Sequence, residues 1–213
     1  MIDFSIPKRY YFFNQFLYIV TIISFSLPAT CYAEVRDYVE KYQNTQIDPD
    51  NLQRIRQFEH LITYFTGFAY FKPYHIVSPE FVKALIIAES SADPNATSSK
   101  DARGLAQITI GTAKDAALSL IQTGVNFKYI DENQLKDLQP DDLYDPAINI
   151  LLSCFLIAKY NYRYNGKIEL VLTAWNAGEN TESLKNKSPA SYFETENLIG
   201  KVNGYYLYFL NNR

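Results

Sequence analysis

The chain has 213 residues, of which 47% are hydrophobic and 20% are charged, and its formal net charge is -3 at pH 7. This length accommodates one domain of ordinary size with a buried core, and the apolar content excludes an intrinsically disordered chain. Basic residues are scattered among acidic ones and form no positively charged stripe, so the composition argues against a nucleic-acid partner.

The N-terminal segment has the pattern of a secretory signal peptide. Lys8 and Arg9 precede an apolar stretch from Tyr10 to Leu27, and small residues then lead to Ala33. This order predicts export, with cleavage after Ala33 and a signal peptide over residues 1–33. An uncleaved membrane anchor is the alternative, but it needs about 20 apolar residues and the apolar core here is shorter. We expect an exported protein of the periplasm or cell envelope.

The two cysteines do not predict a disulfide. Cys31 belongs to the predicted leader, and a lipoprotein signal would have an aliphatic residue where Pro28 stands, so lipid attachment at Cys31 is not expected. Cys154 lies in an apolar run and is predicted to be a small, buried hydrophobic residue. Stability must then come from the hydrophobic core.

The remainder of the chain predicts a mainly α-helical fold, because its periodicity is helical nearly throughout and no long alternating segment indicates a half-buried strand. Residues 34–77 are assigned to an N-terminal helical segment packed on the domain, with one helix from about Asp50 to Thr66. An aromatic linker from Phe68 to Tyr74 follows. The main domain is assigned to residues 78–213.

The clearest helix start lies at Ser78, which is the expected N-cap. Pro79 occupies the first helical position, and Glu80 lies near the positive end of the helix dipole. The helix is expected to end at about Ser90.

Glu89 lies on the apolar stripe of this helix. It follows Val82, Leu85 and Ile86 by seven, four and three residues, so its carboxyl group is expected to face inward. Desolvation raises the pKa of such a carboxyl group, which suits a general acid near neutral pH. Taken alone, the pattern favours a glutamate that turns to solvent or caps a loop at the helix end.

The rest of the chain alternates between loops and helices. A loop rich in Pro, Asn, Ser and Gly spans Asp93 to Gly104, and the polar stretch from Gly124 to Asp142 predicts an excursion over the surface. Further helices are predicted from about Gly111 to Gln122, from Asp145-Pro146 to just before Gly166, from Lys167 to Ala177 and from about Phe193 to Leu210.

Four motifs between Ser78 and Tyr208 resemble, in order and spacing, those of the soluble lytic transglycosylase family. They are Glu89-Ser90 with Pro94-Asn95-Ala96, Ser98 and Ala102-Arg103-Gly104-Leu105-Ala106-Gln107; Asp145-Pro146 with Asn149-Ile150; Ala174-Trp175-Asn176-Ala177-Gly178; and Glu194-Thr195. The resemblance implies a lysozyme-like helical domain, as in goose-type lysozyme, with at most a very small sheet.

The resemblance also implies an activity on peptidoglycan glycan strands. Glu89 would act as the acid and then the base in cleaving the β-1,4 bond between N-acetylmuramic acid and N-acetylglucosamine, giving 1,6-anhydromuramoyl ends. The residues implied to contact substrate are Gln107, Ser98, Asn176, Trp175 and Thr109. Gln and Asn side chains offer both donors and acceptors to the hydroxyl and N-acetyl groups of amino sugars. Two of these residues have a structural alternative: Asn176 can cap its helix, and Ser98 can close a turn.

The mechanism implied by the resemblance needs no metal or organic cofactor. His60 and His75 have no partners at zinc-ligand spacing. A monomer is expected. The sequence leaves the biological setting open among wall turnover, local wall opening for a cell-envelope secretion or conjugation machine, and a phage-derived role.

The chain departs from the family pattern at several positions. Ala106 and Thr109 stand where Met is usual or frequent, and Ile110 stands where Pro is common. Leu198 replaces a Tyr near the catalytic carboxyl group, and the hydroxyl of Tyr192, Tyr205 or Tyr206 is a candidate to compensate. Trp175 replaces the usual Tyr and can form a cleft wall or stack on a sugar.

Two other functions remain open. A hydrolytic muramidase on the same fold would use Asp93, Asp101 or Glu194 as a second carboxylate. A peptidoglycan-binding module without turnover is suggested by Ala106 and Leu198.

Overall fold

The structure, a computed structural model, describes residues 29–71 and 76–212, and the side chains from residue 35 onward within these ranges. The first helix begins at Ala29, so the predicted cleavage point after Ala33 lies within this helix. The rest of the predicted leader lies outside the described residues, as do His75 and the end of the predicted aromatic linker.

Helices make up most of the described chain, which confirms the predicted mainly α class. Their bounds are α1 Ala29–Tyr42, α2 Pro49–Arg56, α3 Glu59–Thr66, α4 Pro79–Ser90, α5 Ile110–Ile121, α6 Glu132–Lys136, α7 Pro146–Arg163, α8 Ile168–Ala177, α9 Glu182–Lys185 and α10 Phe193–Asn211, with a 3-10 helix at Pro140–Tyr144. Within the described residues, β structure is limited to two isolated antiparallel bridges, Thr97 to Arg103 and Arg103 to Ile108.

The helix starts predicted from capping residues are confirmed. Ser78 accepts a hydrogen bond from the backbone N–H of Phe81 at 3.3 Å, and α4 begins at Pro79. Asp145 accepts from the backbone N–H of Ala147 at 2.7 Å at the start of α7. Such side-chain oxygens satisfy N–H groups that have no partner within the helix.

The single helix expected from Asp50 to Thr66 is wrong, because the chain breaks between α2 and α3. Phe58 leaves the helical region with φ -101° and ψ 4°. Its backbone N–H bonds to the carbonyl oxygen of Ile55, three residues back, in a tightened turn. This turn lets the Phe58 side chain pack against the core. Hydrophobic periodicity continues through the break and therefore could not reveal it.

The polar stretch from Gly124 to Asp142 carries more structure than the sequence indicated. It contains α6 and the start of the 3-10 helix. Leu135 and Leu138 bury their side chains and attach this surface segment to the core.

The core is organised around α7, whose side chains are buried almost continuously from Ala147 to Ala158. Cys154 is fully buried there, as predicted. No helix in the described part of the chain is both long enough and apolar enough to cross a membrane.

Helix α10 connects the N-terminal helix to the rest of the domain, since it packs against α1, α4 and α8. A Cβ atom on Gly200 would lie 2.6 Å from the Tyr38 carbonyl oxygen, and one on Gly204 would lie 2.3 Å from that of Tyr42. The two glycines therefore permit the close approach of α1. The Tyr42 hydroxyl donates to Asn197 Oδ1 at 2.8 Å across the same contact.

Candidate active site

Glu89 lies in the last turn of α4, at the end of the stripe formed by Val82, Leu85 and Ile86, each of which is 0% exposed. The glutamate is half-buried. Burial raises the pKa of its carboxyl group from 4.5 to about 7, against the opposing effects of a hydrogen bond from Trp175 and the charge of Lys201. Glu89 is therefore divided between its protonated and charged forms near neutral pH.

Trp175 lies in the last turn of α8, which ends at Ala177 and is followed by Gly178. The indole of tryptophan has only a donor, so in the hydrogen bond between the two side chains the Glu89 carboxyl group accepts. This interaction favours the charged carboxylate and so lowers the pKa of Glu89. The departure from the usual Tyr thus supplies an N–H in place of a hydroxyl.

The loop after α4 is built on backbone conformations that most residues avoid. Ser91, Ala92, Asp101 and Gln107 have φ between 52° and 60°, and Gly104 has φ 74°. These left-handed positions fold the segment back toward the end of α4. Ser90 Oγ donates to the Leu105 carbonyl oxygen at 2.7 Å, so the loop is tied to the residue next to Glu89.

Asn149 of α7 is the buried anchor of this loop. Its Nδ2 donates to the carbonyl oxygens of Arg103 at 3.0 Å and Leu143 at 2.8 Å, and its Oδ1 accepts from the Ala106 backbone N–H at 2.9 Å. The side chain is 0% exposed. The sequence placed Asn149 in a helix motif, but only the structure shows that it fastens the loop.

Gly104 is required at its position in the loop. A Cβ atom there would lie 2.1 Å from the Leu143 carbonyl oxygen and 2.4 Å from Asn149 Nδ2. Any larger residue would displace the contacts that hold the loop on α7.

Gln107 is held by the loop. Its Nε2 donates to the carbonyl oxygens of Ala96 at 3.1 Å and Gly104 at 3.0 Å. These bonds occupy both amide N–H groups and orient the side chain. The predicted contact with substrate would therefore involve the amide oxygen.

Ser98 makes the turn contacts that were the structural alternative for it. Its Oγ accepts from the backbone N–H groups of Lys100 at 3.2 Å and Ala102 at 3.1 Å. Thr109 is exposed just before α5, and its Oγ1 donates to Thr112 Oγ1 at 3.1 Å. Substrate contact by Ser98 or Thr109 stays a prediction.

Asn176 joins two of the sequence motifs. Its Oδ1 accepts from Thr195 Oγ1 at 2.6 Å, which links the end of α8 to the first turn of α10. Thr195 is 0% exposed, whereas Asn176, the residue after Trp175, is exposed. In the structure this side chain bonds across to α10 rather than to the end of its own helix.

Each candidate second carboxylate has another partner in the structure. Asp93 accepts from the Asn95 backbone N–H at 2.9 Å. Asp101 pairs with Arg103 at 2.9 Å, and Glu194 pairs with Lys100 at 2.7 Å. These contacts favour none of the three as a partner of Glu89.

The candidate tyrosines lie in different surroundings. Tyr192 is 58% exposed, and Tyr206 is buried with its ring edge against Phe81. Tyr205 is half-buried and interacts with Tyr42 of α1. The side chains that act on the pKa of Glu89 are instead Trp175 and Lys201, and the sequence had not singled out Lys201.

The described residues contain no group of three His, Cys, Asp or Glu side chains that could hold a metal ion. His60 packs edge-on against the ring of Tyr129.

The similarity to known proteins lies in the segment that contains Glu89. The family model described as "Transglycosylase SLT domain" matches residues 72–198. A protein of Haemophilus influenzae named "Putative soluble lytic murein transglycosylase" is 35% identical over 104 residues, which are 49% of this chain and 15% of that protein. The chain therefore spans a small part of that relative's length.

Among solved structures, an inactive mutant of lytic transglycosylase Slt from Pseudomonas aeruginosa is 18% identical and aligns with a TM-score of 0.48. That alignment covers 85% of this chain and 28% of the other. The matched segment 72–198 contains Glu89, Asn149, Trp175 and Thr195 and makes up more than half of the 213 residues, so the chain belongs to the transglycosylase SLT family.

Proposed function

We propose that this protein is a peptidoglycan lytic transglycosylase in which Glu89 is both the general acid and the general base. The observation that carries the proposal is the environment of Glu89, where burial raises the carboxyl pKa to about 7 beside the donor Trp175. One group with this pKa can give up a proton and take one back at neutral pH.

Glu89 takes part in two successive proton transfers, first as the acid and then as the base. Protonated Glu89 donates to the glycosidic oxygen as the bond from the muramic acid anomeric carbon breaks, and N-acetylglucosamine leaves with a free 4-hydroxyl. The muramoyl 6-hydroxyl then forms a bond to the anomeric carbon, and the Glu89 carboxylate accepts its proton. The enzyme is regenerated, no water is consumed, and the product ends in a 1,6-anhydro ring.

The other site residues would bind and orient the glycan. We assign sugar contacts to the Gln107 amide oxygen and to the exposed Asn176 amide, because both side chains are already oriented by bonds within the protein. A group held before substrate arrives loses less conformational entropy on binding. Trp175 orients Glu89 and offers its ring as a wall for a pyranose. Ser98 and Thr109 would line the outer part of the site.

Two other functions, a hydrolytic muramidase and a binding module without turnover, would each give a different result in the same test. Hydrolysis would need a second carboxylate or another group to activate water, and Asp93, Asp101 and Glu194 are engaged elsewhere.

The test is digestion of purified sacculi, with the released muropeptides identified by mass spectrometry. The wild-type protein should release products with 1,6-anhydromuramoyl ends, and Glu89→Gln should release almost none. Glu182→Gln is the matched control, since Glu182 is exposed on α9. Reducing ends from the wild-type protein would indicate hydrolysis, and binding without release would indicate a module that lacks turnover.

The substrate sets the expected location. We propose an exported monomer of the periplasm or cell envelope, released by cleavage after Ala33, with intact-mass analysis of the exported protein as the measurement. A chain that starts at Met1, or a lipidated Cys31, would contradict this processing. Wall turnover, a secretion or conjugation machine and a phage-derived role are the settings proposed for such an activity.

A further inference from the structure

One ion pair joins two segments that are distant in the chain and that each lie beside a proposed sugar contact. Lys100 Nζ lies 2.7 Å from Glu194 Oε2, so the loop after α4 is connected to the first turn of α10. On the loop side, the pair is two residues from Ser98. On the α10 side, Thr195 follows Glu194 and bonds to Asn176 at 2.6 Å. The pair therefore links the proposed glycan contacts of the loop to those at the end of α8.

The ion pair also closes a ring of contacts that starts beside Glu89. Helix α10 packs directly on α4, and Ser90 at the end of α4 bonds to the Leu105 carbonyl oxygen of the loop at 2.7 Å. The loop then returns to α10 through Lys100 and Glu194. The hydrogen bond of Ser90 is partly buried, whereas the side chains of Lys100 and Glu194 are 73% and 65% exposed. The ion pair is thus the link of this ring that faces solvent.

The backbone on both sides of the ion pair is held in place. The Ser98 N–H donates to the Ala102 carbonyl oxygen at 2.9 Å, and the Asp101 N–H donates to the Ser98 carbonyl oxygen at 3.1 Å. Ser98 Oγ also accepts from the backbone N–H groups of Lys100 and Ala102. Glu194 belongs to the first turn of α10. The pair can therefore open by rotation of two exposed side chains, which is a fast motion that leaves the fold unchanged.

We propose that Lys100 and Glu194 form a latch across the glycan site, which opens to admit a strand and closes over the strand once it is bound. The proposal rests on the proposed function, because the occupant of the site is a peptidoglycan strand. An exposed ion pair contributes little to stability, so the latch opens readily. A strand held beneath the closed pair leaves only when the pair opens again, which slows its dissociation. Lys100 and Glu194 are positioning residues and take no part in proton transfer.

Dissociation of the strand measures the latch without turnover. The Glu89→Gln protein serves as the parent, and surface plasmon resonance follows its dissociation from immobilised peptidoglycan glycan strands. In this parent, Lys100→Gln and Glu194→Gln should each raise the dissociation rate roughly twofold to fivefold, the upper value corresponding to ~1 kcal/mol for an exposed ion pair. The double neutral variant should dissociate no faster than either single variant, because both changes remove the same interaction.

Reversal of the ion pair provides a rescue that a loss of general stability would not show. Lys100→Glu alone places two carboxylates opposite each other and should dissociate fastest. Combined with Glu194→Lys, it should return the rate toward that of the parent. Salt should accelerate dissociation of the parent more than that of the neutral variants, because salt screens the pair. The matched control is Lys185→Gln, which removes an exposed 2.9 Å pair with Glu182 on α9 and should leave the rate unchanged.

Unchanged dissociation in both neutral variants would overturn the proposal, as would additive effects of the two changes without rescue by the reversed pair. Failure of both neutral variants to fold, judged by circular dichroism, would also overturn it, because the pair would then be structural. A parent that binds no glycan strand would leave the latch without an occupant and would overturn it as well.

The digestion of sacculi separates the latch from the proposed function. Release of anhydro-muropeptides by the wild-type protein, together with unchanged dissociation in the neutral variants, would refute the latch alone. Faster dissociation of the neutral variants, with no anhydro product from the wild-type protein, would leave the latch standing and refute the lytic activity.

Discussion

Asn149 and Glu89 are both polar residues that pack against the core, but their polar groups are compensated to different degrees. Both polar atoms of the Asn149 amide are hydrogen bonded to backbone groups, two in the loop after α4 and one in the 3-10 helix. Burial raises the pKa of Glu89 to about 7, because the hydrogen bond from Trp175 and the charge of Lys201 offset only part of the effect of burial. A polar group that is fully satisfied stabilises the fold, whereas one that is incompletely compensated keeps a proton available for chemistry.

This difference predicts separate effects of mutation on activity and stability. The largest is expected for Glu89→Gln, which keeps the size of the side chain and removes its titrating proton. Loss of the general acid should lower the rate of anhydro-muropeptide release by about 10²-fold or more. Near-wild-type release by this variant would refute the assignment, and an unchanged circular dichroism spectrum would show that the fold is intact.

Asn149→Ala should show the opposite pattern, with a large loss of stability. Three hydrogen bonds disappear, two of them buried and one partly buried, and the Ala106 N–H and two carbonyl oxygens lose their partner. The free energy of unfolding should fall by about 3 kcal/mol or more, measured by urea denaturation. Asn133→Ala is the control, because Asn133 is exposed on α6 and its replacement should change the free energy far less.

The pH dependence of stability should also distinguish Glu89 from Asn149. Because the folded pKa of Glu89, about 7, lies above the unfolded value of 4.5, the contribution of Glu89 is fully present below pH 4.5 and is lost as pH rises through 7. Glu89→Gln lacks this loss. Its free energy of unfolding relative to wild type should therefore increase between pH 4.5 and 7, by at most about 3 kcal/mol. A pH-independent difference in urea denaturation would contradict the raised pKa.

The smallest effect is expected at the link between α8 and α10. Thr195→Val keeps the shape of the side chain but removes the bond to Asn176, and should lower the free energy of unfolding by about 1 kcal/mol. If Asn176 binds the glycan, the variant should also raise KM more than it lowers kcat. Unchanged kinetics at the lower stability would restrict Asn176 to a structural role.

Features that depend on neighbouring residues were predictable from the sequence. Ser78 and Pro79, and likewise Asp145 and Pro146, mark helix starts because capping is satisfied within one turn. The inward position of Glu89 followed from its spacing to the apolar residues of the same helix. The break at Phe58 was missed because it changes the backbone path without interrupting hydrophobic periodicity.

The sequence by itself thus determined the helical class, the capped helix starts, the apolar stripe that ends at Glu89 and the motifs of the family. Only the tertiary structure decided how strongly Glu89 is perturbed and by which groups, since Trp175 and Lys201 come from two other helices far along the chain. It also decided that Asn149 anchors the loop that Ser90 joins to the end of α4. Local capping and periodicity act over one or two turns, whereas desolvation and electrostatic effects depend on which distant segments pack together.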